Sequence, residues 1–219
     1  MKRVIILVIG CLVFYALPIN AATVEFEVTA EVTEVEDTGG LLQGKIVPGS
    51  IIEGSYIFDS DTPDDYPDAS GYGEYHHYSS PFGISLAIEG FVFQTNQSNV
   101  NFCIFVANDF YPSHDSYVVE SNANDFLYED VKISKLKLLL YDPAANALNS
   151  DELLIDAPYL ENWETKELLL GGGKYDAWGR PIDEFSVMAN ITRLVPEPSS
   201  MILIGMCFFA VVKNRKIRQ

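Results

Sequence analysis

The stretch Thr23 to Thr33, TVEFEVTAEVT, alternates strictly: Val24, Phe26, Val28, Ala30 and Val32 fall on one side, and Glu25, Glu27, Thr29, Glu31 and Thr33 on the other. Successive side chains of an extended chain point to opposite faces, so a period of two predicts a strand with one buried and one wet face. The same alternation returns in GSYIFD (Gly54 to Asp59), ISLAIEGFVFQT (Ile84 to Thr95), VNFCIFVAND (Val100 to Asp109), SYVVE (Ser116 to Glu120) and FSVMANITRLV (Phe185 to Val195). Turn-forming residues separate these runs at Asp37 to Gly40, Pro48-Gly49, Asp61 to Pro67, Glu89-Gly90, Tyr111-Pro112 and Gly171 to Gly173. Glu89-Gly90 between two short alternating runs predicts a tight hairpin. LKLLLYDP (Leu136 to Pro143) is more continuously apolar than the other runs and predicts a strand covered on both faces, whereas Leu153 to Ile155 fits a helical turn or a strand. Many short strands at this spacing predict an all-β fold, a single antiparallel β-sandwich or jelly-roll-like domain over residues 23–194.

The ends of the chain differ from this body. Lys2 and Arg3 precede an apolar run from Val4 to Leu17, then Pro18 and the small residues Ala21 and Ala22. That order predicts a secretory signal peptide over residues 1–22. The body holds 30 of the 31 acidic residues and only 8 of the 14 basic ones; the other six cations sit at the two ends. Such a body repels a polyanion, which excludes nucleic acid as a partner. It has one cysteine, Cys103, since Cys11 lies in the leader and Cys207 in the C-terminal apolar run, so no disulfide can form inside it. The core must therefore supply the stability, and roughly 170 residues suffice for that.

Several residues invite chemical readings. Asp59, Asp61, Asp64 and Asp65 stand close together after a strand; alternating carboxylates on a loop can supply a calcium site, though without an EF-hand's glycine and final glutamate, and the alternative is an acidic, Pro-rich surface loop that needs no cofactor. His76 and His77 follow Glu74, but adjacent residues of a strand face opposite ways and cannot share one ion. Cys103, among apolar neighbours, reads as a small buried hydrophobe. Tyr66, Tyr72, Tyr75, Tyr78 and Tyr111 fall in loop-like stretches, and Trp163 and Trp178 read as partly buried core residues. No nucleophile elbow, phosphate loop, dinucleotide fingerprint, H-E-x-x-H or C-x-x-C pair occurs, so the chain is not read as an enzyme.

At the C-terminus, Val195-Pro196-Glu197-Pro198 leads into an apolar run from Met201 to Val212, followed by Lys213, Arg215, Lys216 and Arg218. Twelve helical residues span about 18 Å against a hydrocarbon core of about 30 Å, too short for a firm permanent anchor. The four cations predict a cytoplasmic tail with the acidic body on the far side of the inner membrane. This combination of triplet, short apolar helix and basic end resembles the PEP-CTERM sorting signal of Gram-negative bacteria that make extracellular polysaccharide. The resemblance implies a transmembrane helix at 199–212, a basic tail at 213–219, and recognition and cutting at or near Val195 to Pro198 by exosortase, a membrane-embedded cysteine protease-transpeptidase. VEFEVTAEVTEV, GSIIEGSYIFDSDTPDD and PFGISLAIEGFVF are similar to exported domains that accompany this signal, which implies a β-sandwich and brings no particular activity with it. The expected protein is a surface or extracellular-matrix component. The alternatives are a calcium-assisted carbohydrate-binding module on exported polysaccharide and a secreted hydrolase using Asp and Glu.

Overall fold

The computed structural model describes residues 23–110 and 113–197. The expected leader, Tyr111, Pro198, the C-terminal helix and the basic tail lie outside the described residues. Strand β1 (Thr23–Asp37) realises the alternation of the opening stretch. Phe26, Val28, Ala30 and Val32 are at most 2% exposed, and the glutamates between them stay at the other face. The ladder with the last strand skips Thr33 between Val32 and Glu34. That extra residue is a β-bulge, which reverses the phase, so Val35 packs against the core from an odd-numbered position.

The following strands are β2 (Ile51–Asp59), β3 (Tyr72–His77), β4 (Gly83–Ile88), β5 (Phe91–Gln94), β6 (Phe102–Phe110) and β7 (His114–Ser121). Then come β8 (Phe126–Tyr128), β9 (Val131–Asp142), a 3-10 turn (Leu160–Asn162), β10 (Thr165–Tyr175) and β11 (Pro181–Pro196). All pairs are antiparallel, and they form one sheet in the order β3-β6-β7-β9-β10-β11-β1-β2-β4-β5, with β8 beside β9. The all-β antiparallel expectation holds, but the two separate sheets of a sandwich are replaced by one continuous sheet that curls over itself. Two long strands explain the difference. β1 pairs with β11 from Phe26 to Asp37 but with β2 only from Thr23 to Glu31, so it serves both halves of the sheet. Bulges in the β1–β11 and β9–β10 ladders add the bend and twist that close the inner face.

Inside the curl, Phe26, Tyr56, Phe58, Phe93, Phe102 and Tyr117 are fully buried. Phe93 from β5 meets Phe185 from β11 edge-on at 6.0 Å, a contact between strands far apart in the sheet order. Truncating any one of these rings to alanine costs about 3–5 kcal/mol. Glu89 and Gly90 form the predicted two-residue turn between β4 and β5, both with positive φ, as a type I′ turn requires.

Several expectations need correction. Gly171 to Gly173 are not a turn; they lie inside β10, paired with both neighbouring strands. A side chain on Gly172 would run into the carbonyl oxygen of Lys132, and one on Gly173 into that of Asp183. Glycine is there because the three strands approach closely. Trp163 is buried, as expected, but Trp178 is 85% exposed in the turn between β10 and β11. Tyr72 and Tyr75 lie in β3 rather than in a loop, and Tyr75 is buried. β9 is not covered on both faces: Leu136, Leu138 and Leu140 are buried, and Lys137 and Leu139 between them only half so. Leu153 to Ile155 form neither helix nor strand.

The irregular segment after β9 closes one end of the curl. Leu148, Leu153, Leu154, Ala157 and Leu160 pack against the core there. Its main chain is held by Asp115 and Asp142, partners in the β7–β9 ladder and both buried. Asp115 accepts from the N–H groups of Asp109 (2.9 Å) and Leu148 (2.8 Å). Asp142 accepts from those of Ala144 (3.0 Å) and Asn146 (2.8 Å).

Candidate functional site at the sorting junction

The final strand carries the body into the C-terminal signal. Leu194 is buried opposite Val28, Val195 pairs with Glu27, and Pro196 with Phe26. Proline lacks an N–H, so it is tolerated here at the end of the ladder and not within it. One bond reaches further, from the N–H of Glu197 to the carbonyl of Glu25, 3.1 Å. Arg193 pairs with Glu27 at 2.8 Å, and Ser55 donates to Glu25 at 2.6 Å. On one side of the junction is a shallow acidic cleft that includes Glu25, Glu53 and Glu197, with Arg193 as the cation in its wall. On the other side, Ala157, Pro158, Tyr159 and Leu160 border a wider cleft with Leu194, Val195 and Pro196. Among the described residues no helix is long and apolar enough to cross a membrane.

The loop aspartates each have partners of their own. Asp59 accepts from the N–H of Asp61 at 2.9 Å, and Asp64 from those of Tyr66 and Glu74, both at 2.9 Å. Asp65 lies 2.7 Å from Nδ1 of His76. The first two carboxylates thus satisfy main-chain donors of their own loop and its neighbour, which is how Asp shapes turns.

The two adjacent histidines do face opposite ways. His77 is buried, its Nε2 accepting from the N–H of Asp59 at 3.1 Å and lying 2.9 Å from the Thr62 hydroxyl. Burial lowers its pKa against the raising effect of Asp59. His76 points to the outer face, stacked on Tyr78 with ring centroids 5.6 Å apart. Its Nε2 is 3.3 Å from a Glu74 oxygen, and its register partner across the β3–β6 ladder is Cys103. Among the described residues, Glu74, His76 and Cys103 form a group whose donor atoms all lie within 4.8 Å of one another. Cys103 is fully buried, yet on the face opposite the core. Burial first, then the Glu74 carboxylate, push its thiol up to about 12. The sequence shows Glu74 and His76 on one face by their spacing of two, but not the strand that would face them.

The last strand of the curled antiparallel body runs directly into the Pro-Glu-Pro triplet, with Pro196 as its final residue. The family model for the PEP-CTERM protein-sorting motif matches residues 194–216. The chain carries that motif, which marks an exported protein sorted by exosortase through a membrane-anchored stage. The match begins one residue before the expected triplet segment, inside β11, and covers the apolar run and most of the basic tail. No curated protein and no solved structure matches the chain.

Proposed function

We propose that the chain is a cell-surface or extracellular-matrix protein, held at the inner membrane by its C-terminal segment and processed by exosortase at or near Val195 to Pro198. The observation that supports this reading is the ladder that continues to the N–H of Glu197. The last described pairing, that of Glu197 with Glu25, stands just before Pro198, so a cut after the triplet leaves every described pairing of the sheet intact. The test compares a host that has exosortase with the same host lacking it. Release into the medium, with a new C-terminus at or near the triplet by mass spectrometry, is expected only in the first. Glu197→Ala keeps the protein in the membrane fraction, and equal release from both hosts sinks the proposal.

A second reading is a body that contacts exported polysaccharide. Supporting it is a row of rings on the outer face of β3 and β6: Tyr66 to Tyr72 at 6.1 Å, Tyr72 to Phe110 at 5.4 Å and Tyr72 to Phe105 at 6.5 Å. Flat rings beside hydrogen-bonding carboxylates suit a sugar face. Cosedimentation with the host's polysaccharide is expected, weakened by Tyr66→Ala. Chelation in the same assay tests the calcium requirement expected of the acidic loop.

A further inference from the structure

We propose that Glu74, His76 and Cys103 form a binding site for a divalent transition-metal ion of the zinc class on the outer face of β3 and β6. The donor set is one carboxylate oxygen, one imidazole nitrogen and the sulfur of Cys103, whose S–H proton is lost to solvent as the ion binds. Thiolate and imidazole select zinc and its neighbours over calcium or magnesium, which take oxygen alone.

The spacing fits. In a tetrahedron with metal–nitrogen and metal–oxygen bonds of about 2.0–2.2 Å, two such ligands lie about 3.3–3.5 Å apart. Nε2 of His76 and Oε1 of Glu74 are 3.3 Å apart. The Cys103 sulfur lies within 4.8 Å of both donors. A tetrahedral edge to sulfur is about 3.6 Å, so about 1 Å of side-chain rotation at most completes the three-donor face. Water takes the fourth position.

The surroundings orient the donors. The other ring nitrogen of His76 is 2.7 Å from Asp65 Oδ2, the carboxylate–histidine arrangement that fixes the tautomer and turns Nε2 toward a metal. Tyr72 donates to the second oxygen of Glu74 at 3.1 Å, leaving the first for the ion. Tyr78 stacks on the imidazole and Phe105 stands edge-on to it at 6.5 Å, so the ring cannot swing away without losing both contacts. The sheet register sets the rest: Glu74 and His76 are two apart on one strand, and Cys103 is directly across from His76. The competing arrangement is His76 held between Asp65 and Glu74 alone, with Cys103 as inert filling.

The experiment uses the purified full-length chain with Cys11→Ser and Cys207→Ser, so that Cys103 is the one thiol. Titrated with Co2+, it is expected to bind one ion per chain with the charge-transfer absorption of a cobalt–thiolate bond, bleached by Zn2+. Cys103→Ser removes the band. Asp65→Asn keeps the band and weakens binding about 10–100-fold, a loss typical of an orienting partner and beyond a purely local fold defect. Glu74→Gln provides an independent loss of affinity should Cys103→Ser fold poorly. No Co2+ binding, or binding without the thiolate band, overturns the proposal. So does unchanged affinity in both Cys103→Ser and Glu74→Gln.

Discussion

The hydroxyl oxygens of Tyr56 and Tyr117 lie 3.2 Å apart at the centre of the core. Tyr56 belongs to β2 and Tyr117 to β7, with β9, β10, β11 and β1 between them in the sheet. The pair is therefore a bond across the inside of the curl. Burial raises the pKa of both phenols, so both stay neutral at ordinary pH and the bond is unaffected by it.

Removing one hydroxyl leaves the other buried without its partner, whereas removing both leaves apolar rings of nearly the same shape. Tyr56→Phe and Tyr117→Phe are each expected to cost about 1–3 kcal/mol, and the double variant clearly less than their sum. Urea unfolding of the four proteins closes this cycle. Additive losses would show that water already serves both oxygens.

The three glycines inside β10 separate by what a methyl group would meet. Gly172→Ala and Gly173→Ala are each expected to destabilise by at least about 2 kcal/mol, since a main-chain oxygen must move aside. At Gly171 the nearest atom to an added Cβ is the Lys135 Cβ at 3.4 Å. Gly171→Ala is expected to be neutral, or to stabilise by up to about 1 kcal/mol through a stiffer unfolded chain. Thermal melts in this order, with Gly171 the tolerant one, are the check.

Asp115 is fully buried and holds the irregular end of β6 and the segment after β9 by their main-chain N–H groups. Asp115→Ala strands both donors, at a cost of about 2–4 kcal/mol. Asp115→Asn retains one good acceptor and should lose about half as much. Hydrogen exchange adds a local readout: the amides of Asp109 and Leu148 are expected to exchange faster in the Ala variant than those of the central strands. Uniform exchange would place the anchor elsewhere.

His77 links stability to pH. Its ring is held neutral by burial, below the ordinary histidine value of about 6.5. As pH falls through about 6.5 the unfolded chain gains a proton that the native protein refuses, so stability is lost there and levels off below the native value. Between pH 7.5 and 5.5 the native protein is expected to lose more stability than His77→Gln, by up to about 1 kcal/mol. Parallel curves would mean that the ring protonates in place.

What the sequence made legible was local. The alternation of β1 announced which residues face the core, and the Glu89-Gly90 turn and the sorting triplet could each be read within a few residues. The continuous sheet could not, because it depends on β1 being shared by β11 and β2 over unequal lengths. Glycines 171–173 were misread for a related reason: the carbonyls they make room for belong to other strands. The outer-face cluster was half visible. Glu74 and His76 show a common face by spacing, but Cys103 joins them only through the register of β3 on β6.

Because Phe26 stands opposite Pro196, the chain enters and leaves the body side by side. At the other extreme of β11, roughly 50 Å of strand away at about 3.3 Å per residue, the turn bearing the exposed Trp178 caps the opposite pole. A tether at either terminus pulls on the same pole, so the molecule has a fixed top and bottom. A pull on the chain after Pro196 is thus felt first at the β1–β11 ladder, with Trp178 at the far end.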